Sequence, residues 1–169
     1  AVGYNTLVAN TTGAANAAVG AYALDANTTG NYNSALGNNA LGAITNGEFN
    51  TALGYQALST ATTTSGGTAV GYQAAKVTAV ASMTAVGYQA AVANTTGNNN
   101  TAIGEQALVS NTTGNCNTAL GANALDNITT GDYNTAIGKS ALDAVTTTSG
   151  STAVGYEAAK VNTMASMTA

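Results

Sequence analysis

Two short apolar patches recur at a short, constant interval along the whole of this chain. The first is Ala followed by Val, Leu or Ile and then Gly, as in Ala52-Leu53-Gly54, and the second begins three positions after that Gly, as in Ala57-Leu58. Asn, Thr and Gly fill most of the remaining positions, which is the chemistry of turns. One interval has room for two short strands and two turns. Each unit is therefore predicted to form one coil of a narrow parallel β-solenoid, or β-roll.

The Gly of the first patch marks ten successive units. These structural repeat glycines are Gly3, Gly20, Gly37, Gly54, Gly71, Gly87, Gly104, Gly121, Gly138 and Gly155. The step from one Gly to the next is always 17 in the numbering, except that the step from Gly71 to Gly87 is 16. Helical repeats need about 33 residues or more, and runs rich in Gly and β-branched residues form poor helices. The predicted fold class is thus all-β, a parallel β-solenoid of about ten 17-residue coils.

The repeat units are themselves duplicated as a group. Residues 1–84 align with residues 85–168 without a gap, and most positions carry the same residue. The chain is predicted to be a single β-solenoid segment, 1–169, built from two super-repeats of five coils each. Ala169 would begin an eleventh coil. Because solenoids normally have atypical capping units at their ends, we expect this segment to belong to a longer chain; the alternative is that copies stack head to tail.

The apolar residues of each patch are neighbours in sequence, and neighbours in a strand point to opposite faces. Ala occupies the first position of all ten units, from Ala1 to Ala153, which predicts a thin core. Two apolar faces suggest that the outer side of some strands is also covered, and this favours a homo-oligomer. The alternative is that Ala is tolerated on a solvent face.

A Thr precedes the Ala in most units and is expected to point inward with the Val, Leu or Ile position. An outward, flat Thr array would instead suggest ice binding. The column comprises Thr51, Thr68, Thr84, Thr101, Thr118, Thr135 and Thr152.

The stretches Asn100-Thr101-Ala102-Ile103-Gly104-Glu105-Gln106-Ala107-Leu108 and Asn50-Thr51-Ala52-Leu53-Gly54-Tyr55-Gln56-Ala57-Leu58 resemble known repeats. They are similar to the head-domain repeats of trimeric autotransporter adhesins, and more closely to repeats of phage tail-fibre-like proteins. The resemblance covers all ten units. It implies a left-handed parallel β-roll, with three chains side by side, in a shaft on a cell or virion surface. Such β-rolls serve many surface fibres, so the resemblance is weakly specific for function.

Composition agrees with an extracellular fibre. Charged residues are 6% of the chain and the formal net charge is −4, with no Arg or His and with Lys76, Lys139 and Lys160 as the basic residues. Nucleic-acid binding requires a basic face, so it is not expected. No apolar stretch approaches the roughly 20 residues of a membrane span, and membrane insertion is not expected either.

Few residues offer reactive chemistry. Without His, and without a convergent acid pair and nucleophile, we expect no enzyme activity, cofactor or metal site. Asp126, Asp143 and Lys160 share one column on three consecutive coils. Two aligned carboxylates could hold a hard cation such as Ca²⁺, but a solvated ladder in which Lys160 relieves the repulsion is favoured. Cys116, the single cysteine, takes the place of Tyr32 in its unit and is expected to be a packing substitute, with interchain pairing as the minor alternative.

The Tyr column directly after the repeat Gly could bind sugars or partners, although structural stacking along the rod is favoured. It contains Tyr4, Tyr55, Tyr72, Tyr88 and Tyr156. Six sequons could carry glycans in a permissive source. They begin at Asn10, Asn27, Asn94, Asn99, Asn111 and Asn127.

The sequence thus favours a structural extracellular fibre segment that spaces or presents a binding tip. The expected partners are further copies of the chain, with a trimer implied by the resemblance, and cell-surface glycan is a further option. The alternatives are a self-assembling filament subunit and an ice- or glycan-binding module.

Overall fold

Nine three-residue strands form one parallel sheet in the computed structural model, which describes residues 1–79, 82–161 and 168. The strands are β1 (Ala17–Val19), β2 (Ser34–Leu36), β3 (Thr51–Leu53), β4 (Thr68–Val70), β5 (Thr84–Val86), β6 (Thr101–Ile103), β7 (Thr118–Leu120), β8 (Thr135–Ile137) and β9 (Thr152–Val154). Their order in the sheet is their order in the chain. Within the described residues there is no helix, and hence none long and apolar enough to cross a membrane.

Each strand pairs with its equivalent in the next coil. Ala52 pairs with Ala69, one full unit later, and Thr68 pairs with Thr84, one short unit later, so the short coil keeps the register. An isolated bridge between Val2 and Val19 joins the first coil to the sheet. The predicted all-β parallel solenoid, with one repeat unit in each coil, is confirmed. Residues 162–167 and 169, which complete the second super-repeat and begin the eleventh coil of the sequence pattern, lie outside the described residues.

The prediction of two strands per coil is wrong, because the second apolar patch lies in a turn. Ala57 and Leu58 are adjacent, yet both are buried, at 0% and 1% exposure. Gln56 and Leu58 have left-handed backbone, with φ of 54° and 51°. Alternating left-handed residues bend the chain so that both neighbours face inward, whereas a strand would send one of them out. The backbone N–H of Leu58 still donates to Ala74 in the next coil, at 3.1 Å, so the turn is bonded along the axis like the strand.

The core is a stack of small and medium side chains, as predicted. The Ala at the centre of each strand is at most 4% exposed, and the Leu residues of the turn are at most 1% exposed apart from the partly buried Leu7 of the first coil. Small residues are required because the coil is thin.

The repeat glycines mark the points where successive coils approach most closely. All ten have φ between 129° and 141°, a region that residues with a Cβ rarely adopt. A Cβ on Gly121 would lie 2.6 Å from the carbonyl carbon of Gly138 in the next coil. The Gly column is thus required both by backbone conformation and by space.

Buried asparagines bond the coils to one another. Asn33 and Asn50 are fully buried and stack in adjacent coils, and the side chain of Asn33 also donates to the carbonyl of Gly47 at 2.7 Å. In the second super-repeat Asn100, Asn117 and Asn134 repeat this arrangement. Sequence reasoning assigned Asn to turns in general; the constant spacing of one unit was the available signal for ladders.

Candidate functional site: the outer face of the sheet

The strands turn their central Ala inward and their first and third residues outward. We call the first and third residues of β1–β9 the outer face. The expectation that the Thr column points inward is wrong, because the inward position belongs to Ala and Thr lies two residues from the aliphatic position. At the strand the inward position is taken by the small Ala52, so Thr51 and Leu53 both face out.

The aliphatic residues of the outer face form a continuous file along the rod. Seven of the nine are between 36% and 59% exposed, while Val70 and Val86 are more covered. The exposed seven are Val19, Leu36, Leu53, Ile103, Leu120, Ile137 and Val154. The predicted presence of apolar residues on both faces is therefore confirmed for the strand patch. It is wrong for the turn patch, where both residues are buried in every coil from Ala23-Leu24 to Ala141-Leu142.

A file of Ser and Thr runs beside the aliphatic file. Ser34 begins β2, a Thr begins each later strand, and Ala17 begins β1. Neighbours in the file are about 4.8 Å apart along the rod, and each lies about 6.6 Å from the aliphatic residue of its own strand. None of these outward positions carries a charge. A shallow apolar depression lies over β1–β3, lined by Val19, Leu36 and Leu53.

An aromatic ladder stands outside the sheet. Tyr55 and Tyr72 stack with ring centroids 5.3 Å apart, and Tyr72 and Tyr88 stack at 5.2 Å. The predicted stacking is confirmed for these three, whereas Tyr4 instead meets Tyr22 edge-on. Stacked rings cover each other's faces, which are the surfaces a sugar would use.

A glutamine ladder, which sequence reasoning did not single out, lies beside these rings. The side-chain amide of Gln73 donates to Gln56 Oε1 at 2.8 Å, and that of Gln89 donates to Gln73 Oε1 at 3.1 Å. The three glutamines directly follow the three stacked tyrosines in sequence. The two ladders therefore order one strip of surface across three coils.

The acidic column agrees in part with the predicted arrangement. Burial, and then the charge of Asp143, raise the pKa of Asp126, while a hydrogen bond from Asn123 opposes the shift. Lys160 was expected to relieve the two aspartates; the charge of Asp143 does favour its protonated form, but its direct ion pair is with Glu157, Nζ to Oε1 at 3.1 Å. That hydrogen bond raises the pKa of Lys160 and lowers the pKa of Glu157. In the described part of the chain, no three His, Cys, Asp or Glu side chains are grouped to share a metal ion.

Cys116 and the sequons have structural positions. Cys116 is half-buried with φ of 55°, close to the 57° of Tyr32 at the equivalent position. Three sequon asparagines, Asn27, Asn94 and Asn111, are fully buried and donate to neighbouring backbone carbonyls. Glycosylation at these three would require unfolding of the coil, whereas Asn10 is half-buried and Asn99 and Asn127 are exposed.

No family model, curated protein or solved structure matches this chain.

Proposed function

We propose that this chain is a structural segment of an extracellular fibre, a shaft on a cell or virion surface that spaces or presents a binding tip. The single observation that carries the proposal is the exposed, uncharged aliphatic file of the outer face. It spans nine strands, a length of about 38 Å at the usual spacing of stacked strands. The proposed role is mechanical, with no catalytic step and no cofactor.

The outer face is proposed to be the lateral interface between copies of the chain. Removing apolar surface from water is favourable by about 25 cal/mol for each Å² that is buried. Contact between two copies through the aliphatic file would therefore be favourable. Covering half of one Leu or Ile side chain would contribute roughly 1 kcal/mol. Seven such residues in a line, without a charge between them, therefore favour a long lateral contact. The resemblance noted above favours three copies in this contact.

The experiment compares the oligomeric state of the wild-type chain with that of a charged variant. Leu53→Lys, Ile103→Lys and Ile137→Lys place three charges on non-adjacent strands of the outer face. A matched control places Lys at three exposed turn residues, Thr63, Thr113 and Thr147, whose side chains make no hydrogen bond found in the described structure. Sedimentation velocity is expected to show an oligomer for the wild type and for the control, and a monomer for the outer-face variant.

Two results would contradict the lateral interface. One is a wild type that stays monomeric at all concentrations. The other is an oligomer that survives in the outer-face variant. Particles that lengthen axially in all three proteins, seen by electron microscopy, would favour the filament alternative instead.

Ice binding is a second candidate, because the Thr and Ser file points outward beside the aliphatic file. A regular array of hydroxyl and methyl groups on a flat sheet can order water. This candidate predicts that a monomeric wild type shows thermal hysteresis, which Thr101→Lys and Thr135→Lys abolish. Hysteresis that is absent from the wild type would exclude it.

A further inference from the structure

Three exposed tyrosines form a continuous stack across three consecutive coils. Tyr55, Tyr72 and Tyr88 are 45%, 43% and 48% exposed. Their ring planes are nearly parallel, at 13° and 9°, with centroids 5.3 and 5.2 Å apart. The three tyrosines hold equivalent positions in successive coils, so each ring lies against the ring of the next coil along the rod. Exposure leaves the rings room to tilt towards one another.

We propose that this stack is a site of oxidative modification, at which adjacent coils become joined through dityrosine. A peroxidase using hydrogen peroxide is the class of oxidant that the reaction requires. It removes one electron and the phenolic proton from each of two tyrosines, and the two phenoxyl radicals form a carbon–carbon bond between their Cε atoms. The two ring hydrogens then move to the oxygens and restore the phenols. One peroxide is reduced to two waters for each bond formed.

The arrangement of the other aromatic rings confines the proposed dityrosine formation to this stack. Tyr32 and Phe49 stack at 5.1 Å with an interplanar angle of 5°, but Phe49 has no phenol to oxidise. Tyr4 and Tyr22 meet edge-on, at 81°. Among the described residues, no aromatic ring contacts Tyr133 or Tyr156. The parallel stack of phenols is thus confined to Tyr55, Tyr72 and Tyr88.

The chain provides a direct assay for the bond between Tyr72 and Tyr88, because Lys76 lies between them and there is no Arg. Trypsin cleaves after Lys76 and Lys139, which separates peptide 1–76 from peptide 77–139. The folded chain is treated with peroxidase and hydrogen peroxide, and the band of single-chain mass is isolated, unfolded and digested. Mass spectrometry is expected to find the two peptides joined, two hydrogen atoms lighter than their sum, with the bond at Tyr72 and Tyr88.

Conservative variants separate the stack from general tyrosine oxidation. Tyr72→Phe keeps a stacked ring but is expected to abolish the joined peptide and the dityrosine fluorescence, because Tyr55 and Tyr88 are two coils apart. Tyr133→Phe should leave both signals unchanged. Phe49→Tyr, added to Tyr72→Phe, should restore the fluorescence within peptide 1–76. The proposal is overturned if the wild type forms no dityrosine within one chain, or if Tyr72→Phe yields the joined peptide as the wild type does.

Discussion

Asn50 donates both its backbone N–H and its side-chain amide to one oxygen, Asn33 Oδ1, each at 3.0 Å. The same amide also donates to the carbonyl of Thr64 at 2.7 Å, and its own Oδ1 accepts from the backbone N–H of Gly67 at 2.9 Å. One buried side chain therefore bonds the coil before it and the coil after it. The interior is held along the axis by polar contacts as well as by Ala and Leu.

Replacing Asn50 with Ala is expected to destabilise the chain by about 2–4 kcal/mol, since the change leaves the carbonyl of Thr64 and the N–H of Gly67 without these partners and each orphaned buried group costs about 1–3 kcal/mol. Urea unfolding followed by circular dichroism measures the loss. Asn46→Ala is the control, since Asn46 is exposed in the same unit. Equal urea midpoints for Asn50→Ala and Asn46→Ala would contradict a stabilising role for the buried Asn ladder.

Gly121→Ala and Gly155→Ala separate two reasons for the Gly column. Both residues have φ near 135°, so each substitution carries a backbone strain of about 1–3 kcal/mol. A Cβ on Gly121 would also collide with Gly138, whereas among the described residues a Cβ on Gly155 would meet the Cβ of Ala158 at an ordinary 3.7 Å. Gly121→Ala should therefore be less stable than Gly155→Ala by a further amount of roughly 1–3 kcal/mol. Similar thermal midpoints would show that conformation alone requires the glycine.

Asp126→Asn is expected to raise the thermal midpoint at pH 7. Burial and Asp143 raise the pKa of Asp126 in the folded chain, so the folded state binds this proton more tightly than the unfolded state does. Stability from this group therefore falls as the pH rises above the ordinary Asp value of about 3.9. The advantage of the variant should shrink when melting is repeated below that pH.

Asp25→Asn is the matched control for that experiment. Asp25 takes the same position in its coil as Asp126, but the equivalent residue of the following coil is Gly42 in place of an acid. The two substitutions therefore differ in whether an acid follows in the next coil. A gain for Asp126→Asn that is identical at both pH values would contradict the role of ionisation.

The repeat period was sufficient to predict the architecture, because in a solenoid each residue stacks on its equivalent one unit later. The pairing of Ala52 with Ala69 follows directly from the Gly spacing. The path of the chain within one coil was harder to predict. Gln56 and Leu58 adopt a left-handed backbone although neither is Gly. The conformational preferences of these residue types do not predict it. The period-two rule for strands therefore failed at Ala57 and Leu58.

The residue types of the outer face were predicted from the sequence, but the direction in which their side chains point was not. Size and hydrophobicity suggested that Val, Leu and Ile belong inside with Thr. The coil is too thin for them at the strand, so Ala52 is buried and Leu53 is 42% exposed. The width of the coil depends on where the turns place Leu58. The alternation of residues along the strand carries no information about that position. Stacking of Tyr55 on Tyr72 was predictable, because it needs only equal positions in successive coils.

The bonds between coils join residues that are close in sequence, and this has a consequence for how the chain folds. Strand partners always lie one repeat unit apart, so the mean separation of contacting residues is roughly a tenth of the chain length. Relative contact orders near 0.1 are typical of fast-folding helical bundles, whereas β-sandwiches and barrels lie near 0.2. Each new coil closes a loop of the same size onto a surface already formed. The search for the native topology therefore does not lengthen as coils are added, and an all-β rod of this kind can grow by duplication without becoming slow to fold.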